Sequence, residues 1–70
     1  MRKATYERIY NDAHDWFDLN YSHIAWLKPD AAELVERITE TLFYSVGNRC
    51  KWETIEKVVK DVVNERLAEN

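Results

Sequence analysis

Apolar side chains recur at the spacing of one helix face in three separate segments of this 70-residue sequence, and this pattern most limits the folds that it can adopt. The chain has one glycine and one proline, so it has few turn residues with which to connect a series of short strands. A chain of this length forms at most one small domain. We therefore predict an all-α fold: a small three-helix bundle, as a single domain over residues 1–70.

The three helices are predicted over approximately residues 4–19, 30–46 and 49–67, with a short helical turn at 22–27 in the first connector. The four valines of the third segment would also suit a strand, but their spacing follows the helical period. The apolar stripes of these helices and two connector residues make up the predicted core, which consists of Tyr6, Ile9, Tyr10, Ala13, Trp16, Phe17, Ile24, Leu27, Leu34, Val35, Ile38, Leu42, Val46, Trp52, Ile55, Val59 and Val62.

Local signals mark both ends of the second helix. Pro29 disfavours a helical conformation at the residue before it and so ends the preceding turn. Asp30, followed three residues later by Glu33, matches the start of a helix with a side-chain cap. Gly47 suits the left-handed residue with which many helices end, and Asn48 is the predicted cap of the third helix.

Bulk composition indicates a folded protein rather than a disordered one, with 46% hydrophobic residues and a net charge of −3. No apolar run approaches the roughly 20 residues that cross a bilayer, and the N-terminal residues lack the apolar core of a secretory signal. The single cysteine, Cys50, fits a reducing compartment. We therefore expect a cytoplasmic protein with no membrane partner.

Acidic side chains concentrate in the first part of the chain, where residues 5–40 contain eight carboxylates and three cations. Asp12, Asp15 and Asp18 follow one another around one side of the first predicted helix. Such a stripe can attract a basic protein or imitate a phosphate backbone, although many acidic helix faces are only solvated. These three aspartates are candidate partner-binding residues.

Aromatic residues supply a second candidate surface. Tyr21 and Trp26 belong to an unusually apolar connector, and Tyr44 lies away from the apolar stripe of the second helix. Tyrosine and tryptophan are enriched at protein interfaces, so we assign all three to partner binding. The alternative is that they form a second packing contact inside the bundle.

The sequence offers little for catalysis or metal binding. Cys50 lies between two cations near a predicted helix start, which favours a thiolate, but neither histidine belongs to a supporting motif. His14 and Asp18 could present two metal ligands on one side of a helix, whereas a structural zinc site needs four. We expect no enzyme activity, no metal and no cofactor.

The apolar arc of the third helix covers about half of its circumference, which is wider than the stripe of a surface helix. Val58 lies at one edge of this arc, and Val63 and Leu67 lie at the other. If the bundle leaves these edges uncovered, a valine-rich strip is exposed. We therefore predict self-association through Val58, Val63 and Leu67, as a two-fold dimer, or a heteromeric contact there.

These patterns favour a non-enzymatic, protein-binding module. Small acidic regulators and inhibitors carried by phages or mobile elements often have this size and charge, and they bind basic or nucleic-acid-handling proteins. The alternative is a DNA-binding regulator, because the second and third helices have the outline of a helix-turn-helix. Its third helix would offer Arg49, Lys51, Thr54 and Lys57 to DNA, but two glutamates would face the phosphates as well.

Overall fold

The computed structural model describes residues 2–45 and 50–68, and no strand occurs in this part of the chain. Its three helices are α1 (Lys3–Trp16), α2 (Ala31–Ser45) and α3 (Trp52–Ala68). The predicted all-α class is therefore confirmed. None of the described helices is both long and apolar enough to cross a bilayer.

The connector between α1 and α2 continues α1 with further turns of right-handed helix. It consists of a π-helical turn (Phe17–Tyr21), an α-helical turn (Ser22–Ile24) and a 3₁₀ turn (Ala25–Leu27). The side-chain amide of Asn20 donates to the carbonyl of Trp16 at 3.0 Å, which ties the π-helical turn to the end of α1. The connector thus begins as an extension of α1.

Helix α3 packs against both other helices. It runs parallel to α1, because Tyr6 contacts Asp61 and Tyr10 contacts Glu65, each pair being 55 residues apart. Phe43, near the end of α2, contacts Trp52 at the start of α3, with 5.5 Å between ring centroids. These contacts make α3 the central helix of the fold.

The buried apolar side chains of all three helices form one cluster. Ten of the predicted core residues belong to it: Ile9, Ala13, Phe17, Leu34, Val35, Ile38, Leu42, Ile55, Val59 and Val62. Tyr10, Trp16 and Ile24 are half-buried and pack against the cluster, and Trp52 is also half-buried.

The prediction that Tyr6 and Leu27 belong to the core is wrong. Tyr6 is 37% exposed, since its hydroxyl reaches out to Asp61, and Leu27 is 56% exposed at the end of the 3₁₀ turn. Val46, the left-handed stop predicted at Gly47, the cap predicted at Asn48, and Arg49 lie outside the described residues.

The predicted valine strip on the third helix is also wrong. Val58 and Val63 are 0% exposed, and Leu67 is half-buried against the core. The physical reason is the central position of α3, because a helix that contacts two neighbours needs a wide apolar arc to cover both contacts. Val58 and Val63 therefore offer no exposed surface to a second chain, and Leu67 offers only part of its side chain.

The predicted start of the second helix is confirmed. Asp30 Oδ1 accepts a hydrogen bond from the backbone N–H of Glu33 at 2.8 Å, as a helix cap does. Lys28, two residues earlier, has φ of 52° and so adopts the left-handed conformation. This conformation strains a residue that has a Cβ atom, and it reverses the chain before Pro29.

Thr39 carries a buried polar atom without a partner among the described residues. Its side chain is 0% exposed in α2, and its hydroxyl forms no hydrogen bond in that part of the chain. We expect Thr39→Val, which keeps the shape and removes the hydroxyl, to raise the free energy of unfolding by about 1 kcal/mol. The melting temperature should rise by roughly 4–8 °C.

Thr41→Val is the matched control, because Thr41 is exposed and its hydroxyl donates to the carbonyl of Arg37 at 2.9 Å. We expect no stabilisation from that change. A Thr39→Val protein that melts at or below the wild-type temperature would contradict the prediction.

Candidate functional site

Polar side chains join α1 to α3 along one side of the fold, and we call this contact the α1–α3 seam. It consists of Tyr6, Tyr10, His14 and Asp18 from α1 and its extension, and Asp61, Glu65 and Arg66 from α3. The hydroxyl of Tyr10 donates to Glu65 Oε2 at 2.6 Å, and Arg66 Nη2 donates to Asp18 Oδ1 at 2.8 Å. The guanidinium of Arg66 also lies 5.3 Å from the ring centroid of Phe17.

The imidazole of His14 lies in the middle of this seam. Its Nδ1 is 3.3 Å from Arg66 Nη1, and because a guanidinium only donates, Nδ1 must accept. The proton of a neutral His14 is then on Nε2, which is buried, forms no hydrogen bond with a described residue and lies 3.5 Å from Glu65 Oε2. His14 therefore helps to hold α1 against α3.

Tyr6 lies at one end of the seam, and the contact between Asp18 and Arg66 lies at the other. Its partial burial raises the pKa of the phenol above the usual value, and the Asp61 carboxylate, 3.4 Å from the hydroxyl, raises it further. Because the pKa of Tyr6 is raised in the folded protein, the protonated phenol contributes to the free energy of unfolding. This contribution is fully present below the unfolded pKa of about 10, and it is lost as the pH rises through the folded pKa.

We expect Asp61→Asn to lower the pKa of Tyr6 towards its ordinary value, because the amide removes the negative charge beside the phenol. An alkaline titration of the tyrosine ring signals by NMR measures this, with Tyr6→Phe used to assign the signal. An unchanged pKa of Tyr6 in Asp61→Asn would show that the carboxylate does not act on the phenol.

The structure also gives the surroundings of the residues that were considered for metal binding and for catalysis. His14 and Asp18 both contact Arg66, and no group of three or more metal-ligand side chains occurs among the described residues. Cys50 precedes the start of α3, whereas His14 contacts Glu65 near its end. About 20 Å of helix separates those two positions, so this histidine does not approach the thiol.

The three aspartates of the predicted acidic stripe differ in their surroundings. Asp15 is exposed, Asp12 is half-buried, and Asp18 is exposed but bound to Arg66. Only part of the predicted stripe therefore presents negative charge without a cation beside it.

Among the described residues, three of the five large hydrophobic side chains that are exposed lie in the connector, and the other two are Tyr6 and Tyr44. Leu19 is 71% exposed, Trp26 is 76% exposed and Leu27 is 56% exposed, all within nine residues of chain. We call these three residues the connector surface. Since α3 ends two residues after Arg66, which binds Asp18, the connector surface begins beside the end of α3.

The backbone holds this surface in an ordered arrangement. The indole N–H of Trp26 donates to the carbonyl of His23 at 2.9 Å, so the exposed ring has its donor satisfied within the connector. A π-helical turn precedes Trp26, and the left-handed Lys28 follows it. Both conformations are uncommon and are enriched at functional sites.

The other two aromatic candidates lie elsewhere. Tyr21 is half-buried, with its ring 5.1 Å from that of Phe17, so it contributes to packing. Tyr44 is 74% exposed but lies at the opposite end of α2, about 20 Å of helix from Ala31. The structure thus places Tyr44 and Trp26 on two different ends of the fold.

Sequence reasoning did not identify Leu19, Leu27, Glu65 or Arg66 as candidate functional residues. Leu19 could have been found, because it falls outside the apolar stripe of the first predicted helix. Glu65 and Arg66 carry no such signal, since their partners lie about 50 residues away along the chain. In comparisons with protein-family models, curated proteins and solved structures, none matches this chain.

Proposed function

We propose that this chain is a non-enzymatic protein-binding module, a small acidic three-helix bundle that acts in the cytoplasm. It would serve as a regulator or inhibitor, of the kind that phages and mobile elements carry, and bind a basic or nucleic-acid-handling protein. The observation that supports this most directly is the connector surface, where Leu19, Trp26 and Leu27 remain largely exposed.

These three side chains do not belong to the chain's own hydrophobic cluster. They fall within nine residues of chain. Exposed apolar patches often mark interaction sites, and tryptophan is enriched among the residues that dominate binding energy. The bond from Trp26 to His23 fixes the ring before a partner arrives, which lowers the entropic cost of association.

The charge around the connector surface favours a basic partner. Asp15 precedes Leu19 and Asp30 follows Leu27, whereas Lys28 is the one cation between residues 9 and 36 in the sequence. Asp18 also precedes Leu19, but Arg66 pairs with its charge. Exposed carboxylates beside an apolar anchor speed up encounter with a positively charged protein and select against acidic ones. The partner should therefore present an apolar cleft with lysine or arginine at its rim.

The alternative, a helix-turn-helix regulator, draws support from Lys51 and Lys57, which are exposed near the start of α3. The same helix also exposes Asp61 and Glu65, and its apolar side packs against both other helices. The small exposed face and its mixed charge fit the major groove less well than a basic helix does.

The test is affinity purification from the source cell with the wild-type protein and with Trp26→Ala, followed by mass spectrometry. We expect Trp26→Ala to lose a partner that the wild type retains, by at least about thirtyfold in affinity, while the melting temperature changes little. Tyr44→Ala tests the third aromatic candidate separately, because Tyr44 is 74% exposed but lies at the other end of α2. We expect it to bind like the wild type, and a loss of binding would assign Tyr44 to the interface as well.

Asp15→Asn tests the charge separately, because Asp15 is exposed and Asp18 also holds Arg66. We expect weaker binding at low salt and little difference at high salt, where charges are screened. A partner that binds Trp26→Ala as well as the wild type would contradict the assignment of the connector surface.

A further inference from the structure

Cations line an open groove where the first residues of α1 meet the start of α3, at the end of the fold opposite the connector surface. Arg2 comes from the residue before α1, and Lys51 and Lys57 come from the beginning of α3. All three side chains are exposed, and none forms an ion pair within the described part of the chain. The fold thus gathers three positive charges in a chain whose net charge is −3.

Hydrogen-bond donors line the same groove. Thr5 and Thr54 are half-buried there, and their hydroxyls form no hydrogen bond with any described residue. Glu53 also lines the groove and lowers its net charge to two positive units. Although Glu53 and Lys57 are four residues apart on one helix, they form no ion pair, so Lys57 keeps its charge available for a ligand.

We propose that this groove binds a small phosphate-bearing molecule. Arginine and lysine side chains together with hydroxyl donors are the groups that recognise phosphate oxygens, and several cations around one groove favour a ligand with more than one negative charge. A long nucleic acid fits less well, because Asp61 and Glu65 are exposed farther along α3 and would repel its neighbouring phosphates. This ligand site is separate from the protein-binding connector surface, and either can fail without the other.

An amide NMR titration of the full chain with inorganic pyrophosphate tests the proposal at constant ionic strength. We expect saturable shifts at Thr5 and over residues 51–57. Lys57→Ala should weaken binding about tenfold, because it removes one charge-assisted contact. Glu53→Gln should tighten binding, since it removes the carboxylate from the groove.

Lys60→Ala is the matched control, because Lys60 is exposed on the same helix, lies 3.9 Å from Glu56 and does not line the groove. We expect it to bind pyrophosphate like the wild type. The absence of saturable shifts, or equal weakening by Lys57→Ala and Lys60→Ala, would overturn the proposal. A short DNA duplex that binds more tightly than pyrophosphate and loses affinity steeply with salt would also overturn it, in favour of nucleic acid.

Discussion

Replacement of Val63 by glutamate is expected to abolish cooperative folding at neutral pH. Val63 is 0% exposed in the central helix α3, and its surroundings belong to the apolar cluster. An unpaired carboxylate in such a place costs several kcal/mol. A domain of this length has a total stability of only about 3.5–10 kcal/mol, so one such change removes most or all of it.

Far-ultraviolet circular dichroism during a thermal melt measures this effect, and Asn64→Glu is the matched control. Asn64 is the next residue on the same helix, and it is exposed, so the same new charge should alter stability by less than about 0.5 kcal/mol. If Val63→Glu instead melts cooperatively at the wild-type temperature, Val63 is at the surface, and the exposed strip predicted from the sequence exists after all.

The burial of Val63 also shows where the sequence is ambiguous. The wide apolar arc of the third helix is visible in the sequence, and it is compatible with either an exposed strip or a helix that contacts two neighbours. Only the arrangement of the helices decides between these. Since α3 packs against both α1 and α2, Val58 and Val63 face neighbours on both sides and are buried.

Structural features that depend only on residues close in sequence could be predicted much better than the burial of Val58 and Val63. The cap at Asp30 requires only a carboxylate three residues before a backbone N–H, and it forms as expected. The helical period likewise identified Ile38 and Val59 as core positions. The exposure of Leu27 was not predictable in this way, because the 3₁₀ turn and the left-handed Lys28 that expose it leave no clear pattern in the sequence.

The candidate site likewise has some features that the sequence predicts and others that depend on the packing of the helices. An apolar connector is visible in the sequence, and its exposed tryptophan is one of the predicted binding residues. The partners of His14 and Asp18 could not be predicted, because Glu65 and Arg66 reach them only through the parallel packing of α1 and α3. The α1–α3 seam therefore has no signature in the order of residues.

The α1–α3 seam connects the core of the fold to the connector surface. Asp18, which binds Arg66, directly precedes Leu19 in the π-helical turn. The ion pair thus holds the beginning of the connector against the end of α3. If the connector surface binds a protein, the seam fixes the position of that surface before binding takes place.

Replacement of Arg66 by alanine is accordingly expected to lower the free energy of unfolding by about 2 kcal/mol. The change removes the hydrogen bonds to Asp18 and His14 and the contact with the ring of Phe17. The ion pair contributes the smaller part, because the Asp18 side chain is 60% exposed and water screens its charge. The melting temperature should fall by roughly 8–16 °C.

Lys60→Ala is the control for loss of a charge on the same helix, because the side chain of Lys60 is 61% exposed and lies 3.9 Å from Glu56. It should change the free energy of unfolding by less than about 0.5 kcal/mol. Arg66→Lys should recover only part of the loss, because an ammonium group cannot reproduce the planar contacts of the guanidinium.

Faster hydrogen exchange in the connector amides of Arg66→Ala would show that the seam holds the connector surface in place. An Arg66→Ala protein with wild-type stability and wild-type exchange would contradict that role.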